Sequence, residues 1–251
     1  MVSDVCINTE ALSDVSLFRG LTGADLTRIV QAATVCHLKP STVLFRDGAA
    51  ATALYVVAEG RFKVTQVTVG GQELLLHFVG PGQMMGGTAL LGNASYRVTA
   101  AAVEPSCVLS WSSTSMSQFL VRHPRLAQNA LRLMAERIVE LQDRCRELST
   151  ELVDRRVARA LLRLAQQTGK KVEGGILLGV QLSRQDLAEM TGTTLYTASR
   201  ILSRWTQDGL IKAGRQKVLL CKPHALVCIA EDLLSPGTPA KTPPTEYTEL
   251  A

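Results

Sequence analysis

Between residues 131 and 152, apolar side chains return every three or four positions: Leu131, Met134, Ile138, Leu141, Cys145, Leu148 and Leu152. Charged residues flank them, among them Arg132, Glu136, Arg137, Glu140, Asp143, Arg144, Arg146 and Glu147. So narrow a stripe at a 3.5-residue period predicts a long helix that pairs with another helix; a helix lying on its own domain carries a wider apolar face. The expectation is a seam between two parallel copies of the chain, with part of it also touching the preceding domain.

Upstream the pattern is different. Val43–Phe45, Ala53–Val57, Phe62–Val67, Glu73–Val79 and Val108–Trp111 are short apolar or β-branched runs that read as strands. Turn signals separate them: Asp47-Gly48, Glu59-Gly60, Gly70-Gly71 and Gly80-Pro81-Gly82. Short strands at close spacing predict a small β-barrel or jelly roll. A short helix over Thr22–Ala33 precedes it, with Leu21, Leu26, Ile29 and Val30 as its apolar positions.

Downstream, Asp154–Gln167 reads as a second helix closed by Gly169, and residues 172–180 as a strand or hairpin. Ser183 with Asp186 three positions on has the form of a capping box that starts a short helix. Ala188 is small enough for two helices to cross closely, and Gly192 suits the turn between them. Thr193 or Thr194 can cap a second helix, Thr194–Gln207, with Ala198, Ile201, Leu202 and Trp205 as its inner face. Gly209-Leu210-Ile211, Ala213-Gly214-Arg215 and Val218–Leu220 then read as a β-hairpin wing. The whole is a winged helix-turn-helix pattern.

Composition narrows the class. A length of 251 residues with 46% hydrophobic and 20% charged residues fits two modest folded domains. No run approaches the ~18 apolar residues of a membrane span. Met1–Glu10 carries Asp4 and Glu10 without a basic region before an apolar run, so a secretory signal is not expected and a cytoplasmic location is. The cysteines (Cys6, Cys36, Cys107, Cys145, Cys221, Cys228) are scattered, which argues against a disulfide framework and an iron–sulfur cluster. The histidines (His37, His77, His123, His224) are equally dispersed, and no metal site is expected. A metal-dependent barrel enzyme needs converging histidines with a carboxylate, so no enzyme is expected either. Residues 235–251, rich in Pro, Thr and Glu, are expected to be disordered.

The net charge of +5 is unevenly placed. Residues 153–222 hold 13 Lys and Arg against 5 Asp and Glu, whereas residues 1–121 hold 7 against 8. A folded segment with that excess is the electrostatic footprint of a protein that binds a polyanion, here double-stranded DNA.

The order of sensor-like barrel, long helix and winged helix-turn-helix resembles the Crp/Fnr family of bacterial transcription regulators. The run Leu54-Tyr55-Val56-Val57-Ala58-Glu59-Gly60 and the stretch Thr191–Leu202 carry the resemblance, which extends over about residues 12–232. Thr191–Arg200 looks most like the nitric-oxide-responsive branch that controls denitrification. The implied fold is α+β: a cyclic-nucleotide-binding-like barrel or jelly roll (12–125), a dimerisation helix (126–152), a winged helix-turn-helix (153–232) and a tail (233–251). The implied partners are a pseudo-palindromic operator, a second copy of the chain and RNA polymerase, with no membrane. Ser183, Arg184, Thr194, Leu195, Tyr196, Ser199, Arg200 and Arg204 are the candidate DNA-binding residues. Relatives that read a TTGA-type half-site have an Arg at the position of Arg200 and usually a Glu at that of Tyr196.

The effector positions depart from the cyclic-AMP-binding pattern. Its Gly-Glu pair for the ribose falls on Gly86-Gly87, its Arg-Ser pair for the phosphate on Tyr96-Arg97 or Arg97-Val98, and its Thr-Ser pair for the adenine on Leu141-Gln142. Losing those polar partners argues against cyclic AMP. A haem-borne gas signal stays open, with His37 or His77 as the ligand. The alternative is a regulator that still binds a cyclic nucleotide in the barrel.

Overall fold

The computed structural model describes residues 12–233, apart from 69, 72, 93, 215 and 216. Cys6, the tail 235–251 and Arg215 of the wing therefore lie outside the described residues.

The sensor half begins with helix α1 (Gly23–Gln31), whose N-cap Thr22 accepts from the Asp25 amide. Eight strands follow: β1 (Thr34–Leu38), β2 (Val43–Phe45), β3 (Ala53–Glu59), β4 (Phe62–Val67), β5 (Glu73–Val79), β6 (Met84–Met85), β7 (Thr99–Ala102) and β8 (Ser106–Ser112). They form two antiparallel four-stranded sheets, ordered β1-β8-β3-β6 and β2-β7-β4-β5. The expected barrel is thus an unclosed jelly-roll-like pair of sheets. Strand β6 has only two residues before the chain turns into the 3-10 segment Gly87–Leu91, so its ladder stops short of the other sheet.

Strand alternation divides the sensor core in two. Tyr55, Val57 and Val108 face Phe62, Val64 and Ala100 of the second sheet, while Leu54, Val56, Leu109 and Trp111 point the other way. That second layer is closed by Leu17, Phe18, Ile29, Met116 and Leu126, and the Trp111 indole donates to the Ile29 carbonyl at 2.7 Å.

Helix α2 (Ser113–Arg122) leads to the long α3 (Pro124–Thr150), which carries Pro124 in its first turn. Glu151 is extended (φ −99°, ψ 148°) and ends the helix; α4 (Val153–Thr168) starts at once with Leu152 as its N-cap. Leu152 therefore leaves the predicted seam, which runs along one helix only from Leu131 to Leu148. Leu131, Met134, Ile138, Leu141, Cys145 and Leu148 all remain solvent-exposed on the single chain.

The C-terminal half adds the hairpin β9 (Lys170–Val172) and β10 (Gly175–Leu177), helices α5 (Arg184–Met190) and α6 (Leu195–Gln207), β11 (Ile211–Ala213), β12 (Val218–Leu220) and α7 (Pro223–Ala230). Its sheet is ordered β11-β12-β10-β9. Its core joins Val157, Leu161, Leu187, Ile201 and Trp205 to Leu75 and Phe78 of the sensor strand β5.

Candidate DNA interface and effector cleft

Helix α5 starts from a complete capping box: the Ser183 hydroxyl accepts from the Asp186 amide, and Asp186 accepts from the Ser183 amide. Gly192 adopts φ +59° between the two helices, a conformation that favours glycine. Thr194 then caps α6 by accepting from the Thr197 amide. Ala198, Ile201, Leu202 and Trp205 are buried under α6. Leu195, Tyr196 and Arg200 stand exposed on its outer side, with Ser199 half-buried beside them. Tyr196 is 75% exposed, so a large aromatic ring projects freely from the first turn.

The remaining DNA candidates are placed differently. Arg184 is exposed at the start of α5. The Ser183 hydroxyl donates its one proton to Asp186 at 2.6 Å, which leaves none for a phosphate, whereas the Thr194 hydroxyl accepts from the Thr197 amide and lies 3.0 Å from the Thr197 hydroxyl. Arg204 pairs with Asp154 of α4 at 2.8 Å.

The basic excess of the C-terminal half is only partly a surface for DNA. Arg155 pairs with Asp232, Arg159 with Glu151 and Glu231, and Arg163 with Glu147. All four carboxylates lie outside residues 153–222, so the net charge of that segment exceeds the unpaired charge it presents to solvent. Among the described residues of that segment, Arg184, Arg200, Lys170, Lys171, Lys212, Lys217 and Lys222 are exposed without an ion pair above, and Arg204 is exposed beside Asp154.

In the sensor half, Tyr96 is 3% exposed and fills the space between the sheets. Its ring stacks on Phe45 with centroids 4.1 Å apart. Its hydroxyl donates to the Ala53 carbonyl at 2.7 Å and accepts from the Ala53 amide at 3.1 Å. A Cβ on Gly86 would come within 3.3 Å of the Tyr96 ring, so the two are in contact. Arg97 points to solvent. The six expected effector residues therefore do not converge. Gly87 faces Met134 of α3, and Leu141 lies seven residues, about 10 Å, further along that helix. There Leu141 lines an apolar cavity of about 200 Å³ with Leu74, Leu75, Leu76 and Leu148, and Gln142 is exposed.

An open cleft of about 380 Å³ does separate the sensor from α3, lined among others by His77, Val79, Met84, Leu133, Met134 and Arg137. Burial, reinforced by Arg137 and Arg144, pushes the His77 imidazole down to about 3, so the ring is neutral near pH 7. Arg137 bonds its Nδ1 at 2.9 Å. A guanidinium can only donate, so Nδ1 accepts and Nε2 carries the proton. A neutral ring in that tautomer offers no lone pair to a metal. His37 sits on β1 with an exposed side chain, opposite Cys107. Held in this way, His77 does not fit a haem ligand.

Polar contacts also bind the halves together beyond the shared apolar core. Lys63 of β4 donates to Asp186 at 3.0 Å, and Glu189 of α5 accepts from the Leu75 amide at 3.3 Å. Arg61 adds a bond to the Gly179 carbonyl at 3.0 Å. Nothing in the spacing of the sequence points to these contacts.

Comparison with known proteins agrees with both halves. Residues 35–123 match the family described as Cyclic nucleotide-binding domain, and residues 155–229 match the Crp-like helix-turn-helix domain. The chain is 32% identical over 171 residues to the Cyclic AMP receptor protein of Thermus thermophilus, covering 68% of this chain and 76% of that protein. The chain belongs to the Crp/Fnr family. It is a transcription regulator with an effector-binding domain and a DNA-binding helix-turn-helix. A second Crp/Fnr relative, the transcriptional activator protein FnrA of Stutzerimonas stutzeri, is 26% identical over 193 residues, covering 77% and 79% of the two chains. The solved catabolite activator protein of Thermus thermophilus shares 30% identity at a TM-score of 0.51, over 87% of this chain and 99% of that one. The c-di-GMP-responsive regulator CLP of Xanthomonas campestris shares the Crp/Fnr fold at a TM-score of 0.69 and 22% identity, over 79% and 99%.

Proposed function

We propose that this Crp/Fnr regulator acts as a homodimer, paired along Leu131–Leu148, that reads a pseudo-palindromic operator with the outer face of α6 and transmits the signal to RNA polymerase in the cytoplasm. The observation that carries this reading is the division of α6. Its apolar residues are buried, while Leu195, Tyr196 and Arg200 are left with solvent as their surroundings. A helix so divided can enter a major groove without disturbing its own core. The exposed apolar stripe on α3 supports the dimer, since a lone chain would leave Leu131, Ile138 and Leu148 in water.

The effector reading is a small molecule other than cyclic AMP, held in the cleft between the sensor and α3. Tyr96 occupies the space between the sheets, and Arg97, on which the phosphate-binding pair falls, is exposed. A nitric oxide signal carried by haem would require His77 to give up Arg137, and the tautomer argues against it. The experiment is a mobility shift of the purified protein on duplexes selected from a random library, with an absorbance spectrum after haem addition. Selected duplexes without a two-fold repeat would overturn the dimeric reader. A Soret band that shifts with nitric oxide would overturn the effector reading.

A further inference from the structure

Arg156 lies where two helices end. At the C-terminus of α3 its guanidinium donates to the carbonyls of Glu151 at 3.0 Å and Leu148 at 3.4 Å. At the C-terminus of α5 it donates to Thr191 at 2.9 Å and Gly192 at 3.3 Å. Carbonyls at helix ends have no partner within the helix and carry its negative pole, so both ends favour one cation. Only a planar fork of fixed donors reaches both at once; a lysine ammonium is a single point on a flexible stem. A second contact joins the same two ends. A Cβ on Gly192 would lie 2.9 Å from Leu148 Cδ2, so the turn of the helix-turn-helix rests on the last residue of the seam.

We propose that Arg156 is a positioning residue for DNA reading: it fixes the bearing of α6 on the dimer helix and thereby sets the spacing of half-sites that the two subunits accept. The inference rests on the dimer reading above. Helix α6 begins just after Gly192, so any swivel at residues 191–192 carries it bodily. Its 13 residues span about 20 Å, and a tilt of about 10° moves the far end by roughly 3.5 Å, the rise of one base pair.

The test uses the full chain as wild type, Arg156→Lys and Arg156→Gln. The probes are a duplex selected by the wild type from a random library, the same duplex with its spacer changed by one or two base pairs, and a single half-site. The wild type should lose about tenfold or more in affinity across the spacer series, and both variants under about threefold, as expected when the two half-sites are no longer held at a fixed separation. Half-site affinity should stay within about twofold of wild type, because the reading face of α6 is untouched. A merely structural role would lower every affinity in parallel and leave the spacer profile unchanged; that result overturns the proposal. Sedimentation separates the two readings: a wild type that is monomeric overturns the dimer itself, whatever the variants do.

Discussion

Lys63 and Asp186, 123 residues apart in sequence, meet at 3.0 Å and join the sensor sheet to the first helix of the DNA-binding motif. Burial alone would raise the Asp186 carboxyl, but the bonds from Ser183 and Lys63 outweigh it and hold the group below the usual carboxylate range. Lys63→Met keeps the aliphatic stem and removes the charge, while the Ser183 cap keeps α5 folded. Amide exchange in β5 and α5 should then speed up by up to about fivefold, the range for a partly exposed pair worth up to about 1 kcal/mol. Unchanged exchange would show that Leu75 and Phe78 hold the two halves together without the pair.

The His77 ring gives the protein a pH-dependent stability. Its folded value is about 3 against 6.5 for a free imidazole. Between those values the unfolded chain binds a proton that the native ring refuses, so stability falls as pH falls through that window. The slope is at most about 1.4 kcal/mol per pH unit for one proton. Urea unfolding across the window should give a flatter profile for His77→Gln than for wild type. Parallel profiles would mean that the native ring titrates normally.

Long, strongly periodic elements were legible in the sequence, and contacts across elements were not. The capping box at Ser183, the inner face of α6 and the 3-4 spacing of α3 each state a local rule; the structure follows the first two throughout and the third as far as Leu148, since the helix ends before Leu152. Strand β7 is Thr-Ala-Ala-Ala, a composition that favours helix, and only its pairing with β2 and β4 makes it a strand. Arg155, Arg156, Arg159 and Arg163 add to the basic excess of residues 153–222, and only the fold shows that their partners lie on α3, after α5 and after α7. Position in the sequence puts Tyr96 in the effector pocket, yet its ring is buried between the sheets against Phe45.

Tyr96 is therefore a structural residue of the sensor. Tyr96→Phe keeps the stack on Phe45 and loses the two bonds to Ala53, at a cost of about 1 kcal/mol or somewhat more. Tyr96→Ala should cost about 3–5 kcal/mol, in the range of large aromatic truncations. Thermal unfolding measures both, and calorimetry of the wild type with cyclic AMP should show no saturable heat. A mild Tyr96→Ala phenotype, or saturable binding of cyclic AMP, would reopen the space between the sheets as a ligand pocket.

Ile138 stands at the centre of the α3 stripe and is 56% exposed on the single chain. Ile138→Asp would therefore disturb the fold of one subunit little. In a paired helix it would bury an unpaired carboxylate from each side, a penalty of about 3–5 kcal/mol. Sedimentation should show the variant as a folded monomer at concentrations where the wild type pairs. A variant that still dimerises would place the interface elsewhere.

Arg200 faces outward from α6 with both Tyr196 and Ser199 beside it on the same side. Its guanidinium can donate two bonds to O6 and N7 of one guanine, which discriminates against other bases by about 1–3 kcal/mol. Tyr196 has no carboxylate to accept from a cytosine amino group, so a thymine methyl or a phosphate is its expected contact. The competing role for Arg200 is a phosphate clamp, and the two roles differ in kind. Base reading predicts that Arg200→Ala loses its preference at one guanine per half-site and binds all other positions with the wild-type pattern. A clamp predicts uniform weakening over all sequences and a shallower dependence on salt by about one unit. Competition binding against single-base variants of a selected duplex, repeated at two salt concentrations, separates them. The expected result is a preference lost at one position in each half-site, with half-sites about 34–36 Å apart. An unchanged preference profile at lower affinity would assign Arg200 to the backbone and leave Tyr196 and Ser199 as the readers.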